Sequence, residues 1–215
     1  MLAIAAALPG ASGCRFHRRA QGAAAAVGAP LPSRWELSAG RGTCEIDFSF
    51  PPPHEMYSGE VRAATGRVEV DRGGRLRGEF LVHVDDVDMG EPDLTENVRE
   101  AAEMLRGKDF PDASFRFDWV EPALPVSAGA RESEVTLDGT FRLKGVELPL
   151  VVPAKLRLLG GADNWAPMDL RAAFQLEGLH ERFGISGPGG AGDPSGDTLR
   201  FTIHFVLVPC ENAAP

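Results

Sequence analysis

One helical stretch set among alternating strands constrains this chain more than any other feature. Val87 to Trp119 reads VDMGEPDLTENVREAAEMLRGKDFPDASFRFDW. Its first half carries helix signals: Pro92 and Asp93 as a start, Glu96 as the capping-box partner of Asp93, and Gly107 as a left-handed stop. Leu94, Val98, Ala101, Ala102 and Leu105 fall on one apolar stripe, which predicts a helix over about 93–106. The Lys108-Asp109-Phe110-Pro111 turn then leads into a strand in which Phe115, Phe117 and Trp119 alternate with Arg116 and Asp118. A stripe this narrow cannot build a helical core, so the helix must lie on a sheet. The open end of a closed sheet is the place that covers it.

The rest of the chain supplies that sheet. Thr43 to Phe50 puts Cys44, Ile46, Phe48 and Phe50 on one face and Glu45, Asp47 and Ser49 on the other. Ala64 to Val70, an Asp71-to-Gly74 hairpin turn, and Leu76 to Val84 follow, with Phe80, Val82 and Val84 on one face. After the helix come Ser114 to Val120, Glu134 to Leu143, Val146 to Leu159, Leu170 to Glu177 and Leu199 to Val208, each β-like. A two-sheet sandwich shares this alternation. Closure is favoured because strands at both ends of the chain can pair and remove exposed edges. The expected fold is all-β: an antiparallel up-and-down barrel of about eight strands, with the helix over a barrel mouth.

At 215 residues the chain suits one domain with appendages. Residues 1–34 read as a signal or lipoprotein leader and flexible tether, 35–210 as the barrel, and 211–215 as a tail. A short apolar segment ending in small residues precedes Cys14, which would be the lipidated mature N-terminus; no Lys or Arg precedes the apolar run, so the true start could lie upstream of Met1. The protein is therefore expected to be exported, either periplasmic or a membrane-anchored lipoprotein of the cell envelope. With no apolar run of about 18 residues, membrane contact would come only through that lipid anchor. A net charge of −9, with the one basic run at Arg15 to Arg19 inside the leader, argues against nucleic acid as a partner. A homodimer is compatible with this reading. In an exported barrel whose first and last strands pair, Cys44 and Cys210 are a candidate disulfide, with Pro209 as the bulge that corrects side-chain parity.

Catalytic chemistry is missing from the pattern, and the chain reads as a non-enzyme. His54, His83, His180 and His204 lack ligand-like spacing, so neither a metal site nor a cofactor is expected. Ser195 lacks a nucleophile elbow, Gly187 to Gly190 lacks the Gly-Lys-Ser/Thr of a phosphate loop, and Asp85, Asp86 and Asp88 lack the Gly and distal Glu of a calcium loop.

Three segments taken in order resemble a known family. They are Val87 to Phe117 with its Asp-Phe turn and following strand, the Leu137-to-Leu150 hairpin carrying Gly145-Val146-Glu147-Leu148-Pro149, and the Glu181-to-Ile185 segment with its Phe-Gly pair. Together they resemble the YceI-like, polyisoprenoid-binding, lipocalin-like family over about Trp35 to Val208. Lys144 stands where that family usually has His, and Glu147 where it has Thr, changes that bear on the ligand more than on the fold.

The resemblance implies a barrel that holds an isoprenoid, a quinone-like lipid or a similar long-chain amphiphile without catalysis, for binding or transport in the bacterial envelope. The interior candidates are Phe48, Phe50, Phe80, Val82, Val84, Phe115, Phe117, Trp119, Phe141, Phe174, Phe201 and Phe205. Aromatics this numerous can line a tunnel or plug it, and the alternative is a membrane-tethered interaction barrel with a filled core. Lys144 and Arg182 are the rim candidates for a lipid head group, although the acidic net charge favours a neutral one.

Overall fold

The computed structural model describes residues 34–37, 41–54, 57–71, 75–121, 132–159, 167–188, 190 and 193–210, leaving aside the side chains of 119–121 and 195. Cys14 and the rest of the leader, and the 211–215 tail, lie outside the described residues. In chain order the elements are β1 (Arg34–Leu37), β2 (Thr43–Ser49), β3 (Ser58–Val61), β4 (Thr65–Val70), β5 (Leu76–His83), β6 (Val87–Asp88), α1 (Pro92–Glu100), β7 (Asp112–Glu121), β8 (Ser133–Leu143), β9 (Val146–Leu158), β10 (Met168–Glu177), α2 (Leu179–Phe183) and β11 (Thr198–Pro209).

The sheet closes. Its order β1-β4-β5-β7-β8-β9-β10-β11 returns from β11 to β1, all pairs antiparallel, which makes an eight-stranded up-and-down barrel. The first two barrel strands are each broken in two. Along β11, β1 pairs Trp35 with Pro209 and Glu36 with Val208, and β2 takes over with Thr43 against Val206 and Ser49 against Arg200. The same break separates β3, which pairs Val61 with Ile46, from β4, which pairs Gly66 with Leu37. Gly42, with φ of 89°, makes the return to the ladder possible, because a Cβ there would sit 2.2 Å from the Val206 carbonyl oxygen.

This break overturns the expected disulfide. Cys44 lies opposite Phe205, five residues from Cys210, and at about 3.3 Å per residue that is roughly 16 Å. A disulfide needs Cα atoms within about 7 Å. Both thiols are free; the Cys210 amide donates to Arg34 O, and its thiol to Glu36 at 3.5 Å. No parity correction occurs at Pro209: Phe205, Leu207 and Pro209 are buried in unbroken alternation, so Cys210 stays out of step with the inner face.

Burial pushes the Cys44 thiol up to about 11, partly offset by a backbone hydrogen bond at Ala64. The folded state therefore keeps a proton that the unfolded chain, with a thiol near pH 8.5, gives up. Stability contributed by this group is complete below that value and is lost as pH rises toward 11. We expect the thermal midpoint to fall between neutral pH and about pH 10, and Cys44→Ala to remove part of that fall. An identical pH dependence in the variant would assign the fall to other groups.

The two ends of the barrel differ. At the end closed by β1, the interior is solid: Trp35, Val68, Leu76, Phe117, Met168 and Leu207 are each under 2% exposed or close to it, and Leu137, Val152, Leu156 and Leu170 fill the space between them. At the other end, β9 and β10 part. Their pairing runs from Leu158–Met168 to Ala154–Ala172 and stops, whereas β8–β9 continues to Leu143–Val146 and β10–β11 to Glu177–Thr198. The unpaired length of β9 carries Pro149 and Pro153, which have no amide hydrogen to leave unsatisfied at an open edge.

The α1 helix caps this divided end but is shorter than its apolar stripe suggests. It begins after Glu91, with Pro92 in its first turn, and no side chain caps it, so the Asp93–Glu96 capping box does not form. Thr95 instead accepts the Met89 amide at 3.0 Å and donates to Asp88. The helix stops at Glu100, and 101–110 continue as turns in which Leu105 N–H donates to Val98 O. The left-handed residue is Arg106, φ 54°, rather than Gly107. Gly107 is needed for closeness: a Cβ there would meet Val84 at 3.0 Å.

Candidate functional site

Between the solid end and the capping helices lies a cavity of about 180 Å³ that is partly open to solvent. Strand alternation supplies its walls. Phe48 and Phe50 come from β2 and its end, Phe80, Val82 and Val84 from β5 and its end, Phe115 from β7, Phe141 from β8, Phe174 from β10, and Phe201 and Phe205 from β11. Val98, Met104 and Leu105 cover it from α1 and the turns that follow, and Leu179 and Ile185 from α2 and its end. Apart from Ser114 the lining is apolar.

The sequence-predicted interior residues do not all meet at this cavity. Phe117 belongs to the solid end, where it stacks on Phe115 and Phe80, each with ring centroids 6.0 Å apart, and is 2% exposed. The β7–β8 register shifts between Phe117 and Trp119, so the alternation that grouped them is interrupted; the Trp119 side chain lies outside the described residues. Conversely, Met89, Met104, Leu179, Ile185, Leu199 and Ile203 line the cavity without having been singled out in the sequence. Leu199 and Ile203 were legible as inner-face positions of the last strand, but Leu179 and Ile185 sit in a short segment with too few residues for a periodicity to show.

That segment, α2, fills the wedge where β9 and β10 part. Leu179 and Phe183 are buried with Phe50, Leu143, Leu176 and Ile185 in a second small core, and Phe183 meets Phe141 edge-on with centroids 6.3 Å apart. Gly178 and Gly184, with φ of 72° and 61°, turn the chain into and out of this single turn of helix.

Of the two rim cations, Lys144 has a structural duty. Its Nζ donates to Ala102 O and to Gly184 O, both at 3.0 Å, tying the turns after α1 to the end of α2. The Ser186 amide adds a third tie, to Glu103 O. Burial holds the Lys144 ammonium below its usual pKa, assisted by Arg106 and opposed by Glu103. Two of its three donors are engaged, which leaves one for a ligand. Arg182 is exposed on α2, its side chain lying against Gly178.

Titratable groups stand away from the cavity. His54 pairs with Asp193 at 2.9 Å, His83 with Asp112 at 2.6 Å, and His204 lies between Glu45 and Asp169 at 3.1 and 3.2 Å. None of these residues is in the cavity lining. Asp88, from the acidic group before α1, is paired with Arg62 and accepts from Gly90. Among the described residues no three His, Cys, Asp or Glu side chains converge on a metal-sized site. The arrangement can hold an apolar group, and among the described residues the Ser114 hydroxyl is the one polar side chain in its lining.

The comparisons with known proteins agree with this geometry. BcnA of Burkholderia cenocepacia superposes with a TM-score of 0.61 at 13% identity, over 79% of this chain and 98% of that one. A YCEI protein of Campylobacter jejuni gives 0.58 at 13% identity, over 72% and 86%. A polyisoprenoid binding domain from Saccharophagus degradans, implicated in plant cell wall breakdown, gives 0.55 at 9% identity, over 83% and 99%. At these identities the likeness is one of fold. None of the curated proteins searched is similar enough in sequence to match. The model of the YceI-like domain matches residues 39–207, which takes in every barrel strand after β1 as far as Leu207, both capping helices and the whole cavity, and the chain belongs to the YceI-like family.

Proposed function

We propose that this protein binds an isoprenoid or similar long-chain amphiphilic lipid without catalysis, and carries or stores it in the cell envelope. The observation that supports this best is the apolar cavity under a two-helix cap. Water gains little there, whereas each enclosed methylene contributes about 0.8 kcal/mol. The family membership and the likeness to the polyisoprenoid binding domain of Saccharophagus degradans point the same way. A neutral, quinone-like or alcohol head group suits the rim better than a pyrophosphate, since Lys144 already serves two carbonyls. The leader ending at Cys14 is read as the export and lipid-anchoring signal that would bring the barrel to its ligand.

The test is to isolate the protein from its own envelope and examine it by native mass spectrometry and organic extraction. A stoichiometric apolar lipid is the expected result. Protein that is ligand-free and stays so when offered prenyl lipids would favour the interaction barrel instead.

A further inference from the structure

The cavity has a floor that this chain builds from rings laid over glycines. Phe80 packs on Gly66, where a Cβ would fall 2.3 Å from the ring, and Phe117 packs on Gly78, where it would fall 2.6 Å away. Phe205 closes the centre, its ring centroid 4.8 Å from that of Phe80. Each of the two glycine-seated rings occupies the space of a missing side chain, and below them the interior is solid. Side chains at interior density have no room to swing aside. The depth of the site is therefore set at mid-barrel.

Volume then sets what fits. A cavity of 150 Å³ encloses a benzene-sized group, so about 180 Å³ encloses roughly seven carbon atoms by the same measure. Resting on the lipid-binding reading above, we propose that the Phe80–Phe205 floor, backed by Phe117 in the solid end, restricts this site to a short hydrophobe on the scale of one to two isoprene units, and that longer prenyl chains are held by their tail end alone. Units beyond the second lie outside this volume and add little.

A ladder of linear prenyl alcohols tests this on the full chain: isoprenol, geraniol, farnesol, geranylgeraniol and solanesol, with dissociation constants measured below each ligand's aggregation limit. From isoprenol to geraniol the constant is expected to fall by on the order of tenfold, the gain of enclosing about two more carbons less ordering costs. From geraniol onward it is expected to stay within about threefold. Phe80→Ala, which opens the floor, should move the plateau to farnesol. Phe205→Leu is a milder second variant with the same expected direction, and circular dichroism of both identifies which is folded. A constant that keeps falling tenfold or more per unit through geranylgeraniol, or a plateau unmoved in a folded floor variant, would overturn the length limit while leaving lipid binding intact. Absence of binding for every alcohol would overturn the lipid-binding reading, and the limit with it.

Discussion

Phe117→Ala is expected to destabilise the barrel by roughly 3–5 kcal/mol, as measured by urea unfolding. Phe117 is 2% exposed, stacks on Phe80 and Phe115, and lies over Gly78. The glycine carries no side chain that could move into the vacated space, so the cavity would persist. Phe141→Ala provides the contrast. That ring is half-buried at the cavity wall against Phe183, where an opening already exists and neighbours can relax into it. Its stability cost should be markedly smaller, and its effect should appear in ligand retention. Equal costs at the two positions would mean that the ends of the barrel are packed alike, contrary to the structure.

Asp at Leu94, Val98 and Leu105 together is expected to lower retention of a bound prenyl lipid by a hundredfold or more while preserving the β signal in far-ultraviolet circular dichroism. Val98 is 7% exposed, and both it and Leu105 line the cavity. Leu94 packs on the core from the same helix. A carboxylate in this setting finds no cation in the lining, and an unpaired buried charge costs several kcal/mol. Melting a nine-residue helix and the turns after it avoids that cost, because the barrel ladder does not run through α1. Loss of the whole cooperative transition would show that α1 is part of the folding core and would end its description as a cap.

The barrel was legible because period-two alternation survives in Ile46 and Phe48, in Val135 and Leu137, and in Phe205 and Leu207, which the structure buries on one inner surface. The helix was legible from Val98 and Leu105, although its length was not. Glu100 ends it because turns stitched by Leu105 N–H to Val98 O and by Lys144 to Ala102 O compete with its continuation. Alternation is a local signal, so it could not reveal that β1 and β2 are one interrupted strand, which is what separated Cys44 from Cys210. Nor does it distinguish Phe115 in a cavity wall from Phe117 in a solid core, two residues away on the same face. That difference depends on which glycine lies across the ladder. The single-turn α2 left no periodic trace; only its Phe-Gly motif marked it.

The parting of β9 and β10 has a kinetic consequence. Around the closed end, any opening must break backbone hydrogen bonds in a continuous ring. At the divided end, the seam between Val146–Pro153 and Ala173–Glu177 is held by Phe183, Leu179 and their neighbours together with the Lys144 ties. Side-chain contacts of this kind yield in small steps, whereas a ladder yields all at once. Guest exchange can thus be rapid in a protein whose global unfolding is slow, and the two rates can be tuned by different residues.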